Sequence, residues 1–356
     1  MAIDFLNTYQ LLQAVKEQPP MSTFLRDRYF PTNDATDIFA TTKVLVEYKD
    51  GNRKVAPFVS PRRGGITILR DGSKMREYEP PLLAPRRMLT IDDLKRRGFG
   101  EALMSDLTPE DREAAMTLND IQELGDMITR REEVMAAETL INNKCTIKEY
   151  ADDLTTVVRE DEIKFYDEAT NPASYTPTTK WGTTGCDILG DIYAMIQMLA
   201  KRGLPANELL VAPDVAQLVI GDETIKKLFD INNYKLGTLE PIQEETGVSR
   251  LGIINVYGPE VTIYTVAGTY QDGDGTEKAF FPAGNVVLTS PAAGRTVYGA
   301  VTQLEQMDGN FHTYAERRVP KYIADAVGNT RSATLSSAPL LIPNHMNPWI
   351  SSKVTA

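Results

Sequence analysis

The residues from Thr108 to about Asn142 predict a single long helix, and this element limits the possible folds more than any other feature. Thr108 can cap free backbone N–H groups and Pro109 suits the first helical position, so the two residues mark the start of the helix. Apolar or small residues then recur at three- and four-residue steps, and no proline follows until Pro172. At the standard rise per residue, such a helix is about 50 Å long.

The remaining face of this helix is charged. It is predicted to carry Asp120, Glu123, Arg130, Arg131, Glu132 and Glu133, and to meet water or another chain. One interpretation is the solvated face of an ordinary core helix, which is the common case. The other is a structural spine that crosses a sheet, and the strand-rich sequence on both sides of the helix favours this second interpretation.

The composition is that of a globular chain. Its 356 residues, 42% of them hydrophobic, suffice for a large core in one elaborate domain or two to three sub-domains. No apolar run is long enough to span a membrane, and Asp4 near the start argues against a secretory signal. Cys145 and Cys186 fit free thiols in a reducing compartment. We therefore expect a soluble, cytosolic chain.

Charge is spread unevenly along the sequence. The chain carries a net charge of −11, yet residues 41–97 contain 14 lysines and arginines against 7 acidic residues. A basic segment on an acidic body favours self-complementarity between copies over nucleic-acid binding, because the acidic body repels phosphate. Uneven charge without any partner remains the alternative interpretation.

The first part of the chain predicts an arm followed by a ribbon. Residues 1–17 are typical of a short amphipathic helix, and residues 21–40 of an extended arm with aromatic anchors or of an ordinary packing segment. Between residues 43 and 78, apolar runs alternate with turns, which predicts a long two-stranded excursion. The Arg62-Arg63-Gly64-Gly65 turn at its tip is no phosphate loop, because it lacks the Gly-Lys-Ser/Thr ending and a following helix.

The elements around the long helix are predicted from local signals. A helix is expected at residues 89–97 with Thr90 as its cap, a hairpin within residues 155–166, and a linker at residues 170–184. A separate α+β unit of helices and strands follows; its elements are predicted at residues 187–202, 208–212, 213–219, 222–229, 253–257, 261–270 and 278–288. Residues 272–275 are interpreted as a hairpin turn, not a calcium loop. Residues 338–343 predict a buried strand that returns to the first sub-domain.

Chemistry-bearing residues form no recognisable site. His312 and His345 lack metal-ligand spacing, and neither cysteine has an evident base as partner. Three adjacent carboxylate pairs could in principle hold magnesium; they are Asp92-Asp93, Asp152-Asp153 and Asp161-Glu162. Adjacent side chains on one element point apart, so each pair is better interpreted as solvated surface. We expect no catalytic residue, no metal site and no cofactor, and therefore a structural role.

The order of these elements resembles that of tailed-phage major capsid proteins, and the sequence is similar to the lambda-type major head protein family. The stretches that carry the resemblance are Phe58-Val59-Ser60-Pro61 with the basic turn after it, Tyr78 with Pro80 and Pro85, and residues 258–261, 268–270, 278–282, 295–299 and 337–341. Each stretch is weak alone, but their order is specific and covers most of the chain.

The resemblance implies an α+β fold of the Hong Kong 97 type. Its parts would be an N-terminal arm (1–40), an extended β loop (41–89) across a neighbouring subunit, a peripheral domain (90–180) with the spine helix, an axial domain (185–294) and strands returning to the peripheral domain (295–356). Arg62, Arg63, Gly64 and Gly65 would form the inter-subunit loop tip. Thr108 and Pro109 would begin the spine helix.

The resemblance also implies a function. The protein would self-assemble into pentamers and hexamers of an icosahedral phage head that encloses double-stranded DNA without sequence-specific binding, and it would catalyse no reaction. Implied partners are a separate scaffold protein, a portal and a candidate decoration protein, with assembly in the host cytoplasm, an N-terminus trimmed little or not at all, and no membrane. The alternatives are a bacterial nanocompartment shell and, from another class, a carboxylate-based metal-dependent hydrolase.

Overall fold

The computed structural model describes residues 23–48, 74–90, 93, 109–150, 157–166, 173–230, 237–245, 247–273, 275–306, 309–326 and 328–355. Several predicted features lie outside these residues. They are the helix at residues 1–17, the loop tip Arg62, Arg63, Gly64 and Gly65, most of the helix at residues 89–97, and Thr108.

The predicted long helix is α2 (Pro109–Asn142), which has 34 residues. Asn143 follows in the left-handed region with φ +52°, a conformation that asparagine tolerates, and this ends the helix. Ile121, Leu124 and Ile128 form the apolar stripe of its first half. The second half is immersed in the main core, where every residue from 132 to 137 is buried. The helix is therefore a buried spine for much of its length.

A three-stranded antiparallel sheet lies against the first half of α2. Its order is β16 (Val319–Asp325), β17 (Thr330–Ser336) and β3 (Arg86–Thr90). Tyr322, Ala333 and Leu335 face the helix stripe, as the two-residue period of a strand requires.

Strand β3 corrects the helix predicted at residues 89–97. Leu89 and Thr90 belong to this strand, because they pair with Arg331 and Thr330 of β17. Thr90 nevertheless contacts Asp93, three residues further along the chain. The backbone N–H and the Oγ1 of Thr90 donate to the carboxylate of Asp93, at 3.0 and 2.6 Å.

The base of the predicted excursion is an antiparallel ribbon of β1 (Val44–Tyr48) and β2 (Lys74–Tyr78). Val44, Val46 and Tyr78 form its inner face and are buried in the main core. Tyr78 packs edge-on against Phe165, with ring centroids 5.6 Å apart. These contacts supply the apolar support that a two-stranded ribbon lacks by itself.

Three further antiparallel pairs are present, and two of them contact α2. They are β4 (Lys144–Tyr150) with β5 (Val157–Lys164), β13 (Gly294–Tyr298) with β18 (Pro339–Pro343), and β14 (Val301–Leu304) with β15 (Phe311–Tyr314). The prediction of a hairpin within residues 155–166 is wrong. Strand β5 pairs instead with β4, which directly follows α2. The buried strand predicted at residues 338–343 is confirmed as β18, which contacts α2.

The second unit is a six-stranded sheet with three helices. Its strand order is β19 (Ile350–Lys353), β12 (Asn285–Thr289), β6 (Glu208–Val211), β9 (Glu260–Val266), β8 (Val248–Asn255) and β7 (Gly237–Glu245). Among the six described strands of this sheet, only β6 and β9 pair in parallel. The helices are α3 (Ile188–Ala200), α4 (Pro213–Gly221) and α5 (Glu223–Asp230), as the sequence predicts. Asp187 caps α3 by accepting the N–H of Gly190 at 2.9 Å.

Three sequence predictions in this unit need correction. Strand β7 was not predicted. The strands predicted at residues 261–270 and 278–288 are each divided, which adds the short pair β10 (Thr269–Gln271) and β11 (Glu277–Ala279). The last strand, β19, does not return with the rest of residues 295–356, because it pairs with β12 in the six-stranded sheet.

The linker predicted at residues 170–184 is a docked segment where the structure describes it. Ser174 forms a parallel β-bridge with Ser351 of β19. Trp181 is 3% exposed, its backbone N–H donates to the carbonyl of Val354, and its indole Nε1 donates to Asp191 at 2.7 Å. The Thr, Pro and Ser residues of this segment therefore indicate an irregular backbone that is packed on the fold, and not a free linker between domains.

Candidate assembly surfaces and the contacts that position them

The N-terminal segment is packed inside its own subunit where the structure describes it. Instead of the predicted extended arm, residues 24–29 form a short helix, α1 (Phe24–Tyr29). Phe24, Leu25, Tyr29 and Phe30 are each 0–7% exposed. The aromatic anchors therefore fill the core of this chain, as the alternative interpretation of a packing segment expected.

Glu132 of α2 joins three parts of the fold at one fully buried carboxylate. It accepts hydrogen bonds from Arg26 (2.8 Å), from Arg318 (2.7 and 3.0 Å) and from the hydroxyl of Tyr298 (3.2 Å). Burial alone would raise the pKa of Glu132, but the guanidinium groups of Arg318 and Arg26 lower it. The prediction that Glu132 lies on a solvated face is therefore wrong.

The adjacent Glu133 is also buried, at 7% exposure, and has different partners. Its two carboxylate oxygens accept the backbone N–H groups of Leu25 (2.8 Å) and Arg26 (2.9 Å). These N–H groups belong to the first turn of α1, where Thr23 makes no capping hydrogen bond in the described structure. Glu133 thus supplies the cap of α1 from another helix. Burial raises its pKa to about 7.

The other side of α1 is held by Glu208 of β6. Its carboxylate accepts from Arg28 Nε (2.8 Å), from Arg28 Nη2 and from the hydroxyl of Tyr29 (2.7 Å). The Arg28 guanidinium also lies 5.1 Å from the ring centre of Tyr264. Sequence reasoning missed this link, and the signal for it was one glutamate at the start of an otherwise apolar strand.

The predicted hairpin turn at residues 272–275 is confirmed, and it contacts α2. Asp272 accepts from Lys278 Nζ (2.6 Å) and from the N–H of Gly273 (2.9 Å), and it lies 3.5 Å from Arg131 of α2. Partial burial opposes ionisation, but Lys278 and Gly273 lower the pKa of Asp272 to about 2. The turn that resembles a calcium loop is thus stabilised by the ion pair between Asp272 and Lys278. The contact of Asp272 with Arg131 attaches the β10–β11 hairpin to α2.

The outward face of the β1–β2 ribbon combines apolar and acidic side chains. Strand alternation places Leu45, Glu47, Met75 and Glu77 on this face. Leu45 is 54% and Met75 64% exposed. Glu77 lies 3.4 Å from Lys43. We call these four residues the ribbon face.

A groove of about 730 Å³ lies on the three-stranded sheet, on the side away from α2. Lys321 and Ile323 of β16 and Thr334 of β17 alternate with the residues that face the helix, so they form its floor. The β14–β15 hairpin forms one wall, where Leu304 and Phe311 are directly paired. Phe311 is 76% exposed, an unusual exposure for an aromatic side chain.

The charges of the groove are basic. Arg86 and Lys321 line it, and neither forms an ion pair with another residue in the described part of the chain. No aspartate or glutamate is found among its described lining residues. Leu82 adds a further apolar side chain, 63% exposed, at the edge of β3. The groove is therefore an apolar surface with two basic groups.

The predicted carboxylate pairs do not form a site in the described structure. Asp92, Asp152 and Asp153 lie outside the described residues, and Asp93 accepts from Thr90. Asp161 pairs with Arg159 at 2.6 Å, and Glu162 pairs with Lys144, both on the exposed β4–β5 hairpin. Among the described residues, no three histidine, cysteine, aspartate or glutamate side chains are grouped as a metal site would need.

The remaining candidate residues are placed as follows. Pro109 is the first residue of α2. His312 lies on β15, with its ring tilted against Tyr314. Cys145 and Cys186 are free, and burial raises the pKa of the Cys145 thiol to about 12. In the part of the chain that the structure describes, none of the helices is long and apolar enough to cross a membrane.

Comparison with known proteins gives the family. A family model described as phage major capsid protein E matches residues 7–354. The P21 prophage-derived major head protein of Escherichia coli O6:H1 is 23% identical over 350 residues, which cover 94% of this chain and 95% of that protein. The major capsid protein of Enterobacteria phage P21 gives the same values.

A crystal structure of a prophage capsid protein from Escherichia coli has the same fold. It superposes with a TM-score of 0.68 at 17% sequence identity, over 98% of this chain and 99% of that one. The resemblance drawn from the sequence is therefore confirmed, and so is the Hong Kong 97-type α+β fold. This chain belongs to the phage major capsid protein E family and is a major capsid protein of a phage head.

Proposed function

We propose that copies of this chain form the pentamers and hexamers of an icosahedral head that encloses double-stranded DNA. Membership of a capsid protein family, whose members assemble from many copies of one chain, supports this proposal. The net charge of −11 supports an inner wall that contacts DNA without binding it tightly, because like charges repel. The role proposed is subunit packing, with no reaction catalysed and with assembly in the host cytoplasm.

The proposal divides the subunit by role. Residues 1–40 would be the N-terminal arm, 41–89 the extended loop, 90–180 the peripheral domain, 185–294 the axial domain, and 295–356 the returning strands. The three-stranded sheet on α2 supports the peripheral assignment, and the six-stranded sheet supports the axial one. Strand β19 is assigned to the axial sheet, since it pairs with β12.

We infer further that the ribbon face lies in the groove of a neighbouring subunit. The two surfaces match in character, since Leu45 and Met75 would meet Leu304 and Phe311. They also match in charge, since Glu47 and Glu77 would lie near the basic groups of the groove. Burial of exposed apolar area drives association and opposite charges set its register. The ribbon face is thus acidic although residues 41–97 as a whole carry a basic excess, to which Arg86 of the groove contributes.

A charge-swap experiment tests this interface. Reversing the groove charges (R86E with K321E) or the ribbon charges (E47K with E77K) is expected to prevent shell assembly, as seen by electron microscopy and sedimentation. Combining all four changes restores the opposite-charge pairing and is expected to restore shells. The matched control, R86K with K321R, keeps the charges and is expected to assemble. Shells in both charge-reversed variants, or no rescue in the combined variant, would contradict the inferred contact.

The loop itself is tested by deletion. Removal of residues 60–66, which include the predicted tip Arg62, Arg63, Gly64 and Gly65, is expected to abolish assembly while the subunit stays folded. Circular dichroism and thermal unfolding of the subunit provide the folding control. Intact shells from this deletion variant would show that the tip is not an inter-subunit element.

Electron microscopy of the protein expressed with its neighbouring genes tests the whole proposal. We propose a separate scaffold protein, a portal and a decoration protein as partners encoded there. Closed shells or tubes of regular diameter are expected. Uniform small particles that never assemble under these conditions would contradict the proposal.

A further inference from the structure

The three-stranded sheet on α2 has two edges, and the edge at β16 is blocked by side chains. The side-chain amide of Gln306 donates to the carbonyl of Ala324 at 2.8 Å and accepts the N–H of the same residue at 3.0 Å. Pro320 has no N–H to offer, and its carbonyl accepts from Gln303 Nε2 at 3.3 Å. The backbone groups that a further strand would need on β16 are therefore already occupied.

The opposite edge, at β3, is open. Leu83 exchanges two hydrogen bonds of 2.8 Å with Ser337, which follows β17, and the same register continues through β3. Because the hydrogen-bonding side alternates along an antiparallel strand, every second residue turns its backbone N–H and C=O groups away from β17. These residues are Leu82, Ala84, Arg86 and Met88, and we call them the open edge. In the part of the chain that the structure describes, no group bonds to their outward backbone atoms.

The open edge has an exposed apolar side chain at each end. Leu82 is 63% and Met88 53% exposed. Beyond Met88 the next outward N–H, that of Thr90, is taken by the carboxylate of Asp93 at 3.0 Å, so the edge ends there. An exposed strand with free backbone groups is a template for pairing with another chain, and here one edge of the sheet is blocked while the other is left available.

We propose that the open edges of two copies of this chain pair antiparallel about a two-fold axis at Pro85. In this register Leu82 lies opposite Met88 of the second copy, so the apolar ends meet, and Arg86 lies opposite Ala84. Pro85 is compatible with the pairing, because its carbonyl already accepts the N–H of Leu335 of β17 and its missing N–H is on that side. A two-fold axis at Arg86 is disfavoured, because it would place two arginines directly opposite each other.

The proposed pairing joins the two three-stranded sheets into one continuous sheet. A contact of this kind uses the same residues on both copies and closes after two copies, as a two-fold axis requires. An icosahedral shell has two-fold axes between neighbouring pentamers or hexamers, so the inference rests on the proposed function for the place of this contact in the head. The pairing uses the edge of the sheet and leaves the face with the groove available to the ribbon face.

Disulfide cross-linking of the L82C/M88C double variant tests the pairing. Opposite residues that share backbone hydrogen bonds have Cα atoms about 5.5 Å apart, which a disulfide accepts. Within one extended chain the two cysteines are about 20 Å apart and cannot be linked. The full-length protein, expressed with its neighbouring genes and then oxidised, is expected to run as a covalent dimer on a non-reducing gel, with the 82–88 link identified by mass spectrometry.

The single variants L82C and M88C are the matched controls. In the proposed register the same residue of two copies is separated by about 20 Å, so each single variant is expected to stay monomeric on the gel. The wild type, which keeps Cys145 and Cys186, is expected to do the same. Equal dimer yields in the double variant and in either single variant would overturn the proposed register.

A proline at position 84 provides a second test. A84P removes an outward N–H without removing a bond to β17, so adding it to the double variant is expected to abolish the cross-link. Absence of the 82–88 link in L82C/M88C, or an unchanged link after A84P is added, would overturn the pairing. Electron microscopy of the same samples separates this inference from the proposed function. Shells without the link overturn the pairing alone, whereas linked dimers that form no shells support the pairing and contradict the proposed function.

Discussion

The hydroxyl of Tyr29 donates a 2.7 Å hydrogen bond to the carboxylate of Glu208, which lies 179 residues further along the chain. This bond joins the N-terminal segment to the central parallel pair of the six-stranded sheet. Burial raises the pKa of Tyr29, so the phenol keeps its proton and remains a donor. The N-terminal segment and the middle of the capsid subunit's sequence thus meet at one buried contact.

Replacing Tyr29 by phenylalanine is expected to destabilise the subunit by about 1–2 kcal/mol, because Glu208 loses a buried donor while the ring remains. Urea unfolding at constant pH measures this change in the free energy of unfolding. The matched control is Y257F, which removes the hydroxyl of a tyrosine that is 64% exposed and is expected to change stability little. Equal stability of the Y29F variant and the wild type would contradict this role for the bond.

The two adjacent glutamates of α2 are expected to respond differently to removal of charge. E132Q leaves the buried guanidinium of Arg318 without a counter-charge and Arg26 with Asp27 alone, and it is expected to lower the free energy of unfolding by about 3–5 kcal/mol. E133Q at pH 6 replaces a mostly protonated carboxyl by a neutral amide, so its effect is expected to be much smaller. Urea unfolding of both variants at pH 6 makes the comparison. A loss in E133Q as large as that in E132Q would show that the two sites do not differ in charge state.

Gly294 is expected to tolerate no side chain, because of the close approach of Phe30. A Cβ atom at this position would lie 2.7 Å from the carbonyl oxygen of Ile342 and closer still to the Phe30 ring. G294A is therefore expected to destabilise the subunit by about 1–3 kcal/mol through forced displacement of α1.

Thermal unfolding of G294A measures this effect. The control is G221A at the end of α4, where a Cβ atom would meet nothing within 4 Å. This variant is expected to be neutral or slightly stabilising, since alanine is favoured over glycine in helices. A lower melting temperature for G221A than for G294A would contradict the packing described at Phe30.

The ion pair at Asp272 is expected to make part of the free energy of unfolding depend on pH in the acidic range. The pKa of Asp272 is about 2 in the folded chain against an ordinary value of 3.8, so folding is favoured by its ionised form. Its contribution is fully present above pH 3.8 and is lost as the pH falls through about 2.

Replacing Asp272 by asparagine is accordingly expected to reduce the free energy of unfolding by about 1–2 kcal/mol at pH 7. The difference from the wild type should shrink as the pH is lowered below 3.8. Urea unfolding at a series of pH values follows this trend, and E260Q, at an exposed carboxylate, is the control. A difference that stays constant down to pH 2 would rule out the ion pair as its source.

The sequence alone determined the elements whose signals are local. Pro109 and the spacing of apolar residues predict α2, Asp187 and Gly203 bound α3, and alternating residues predict the β1–β2 ribbon. Caps, turns and periodicity act within a few residues, so they can be recognised without knowing what the segment contacts. The family resemblance also came from the sequence, because it depends on the order of short stretches and not on their contacts.

Only the tertiary structure decided the features that depend on distant partners. Residues 24–29 form a buried helix because Glu133 caps it and Glu208 holds its other side. Strand β3 forms because β17 lies beside it, and β19 joins the six-stranded sheet because it pairs with the edge of β12. Glutamates 132 and 133 have the same local setting as the exposed Glu123, so no local pattern distinguishes them. Whether a charged side chain is buried depends on the groups that pack against it and bond to it, and those groups lie far away in the sequence.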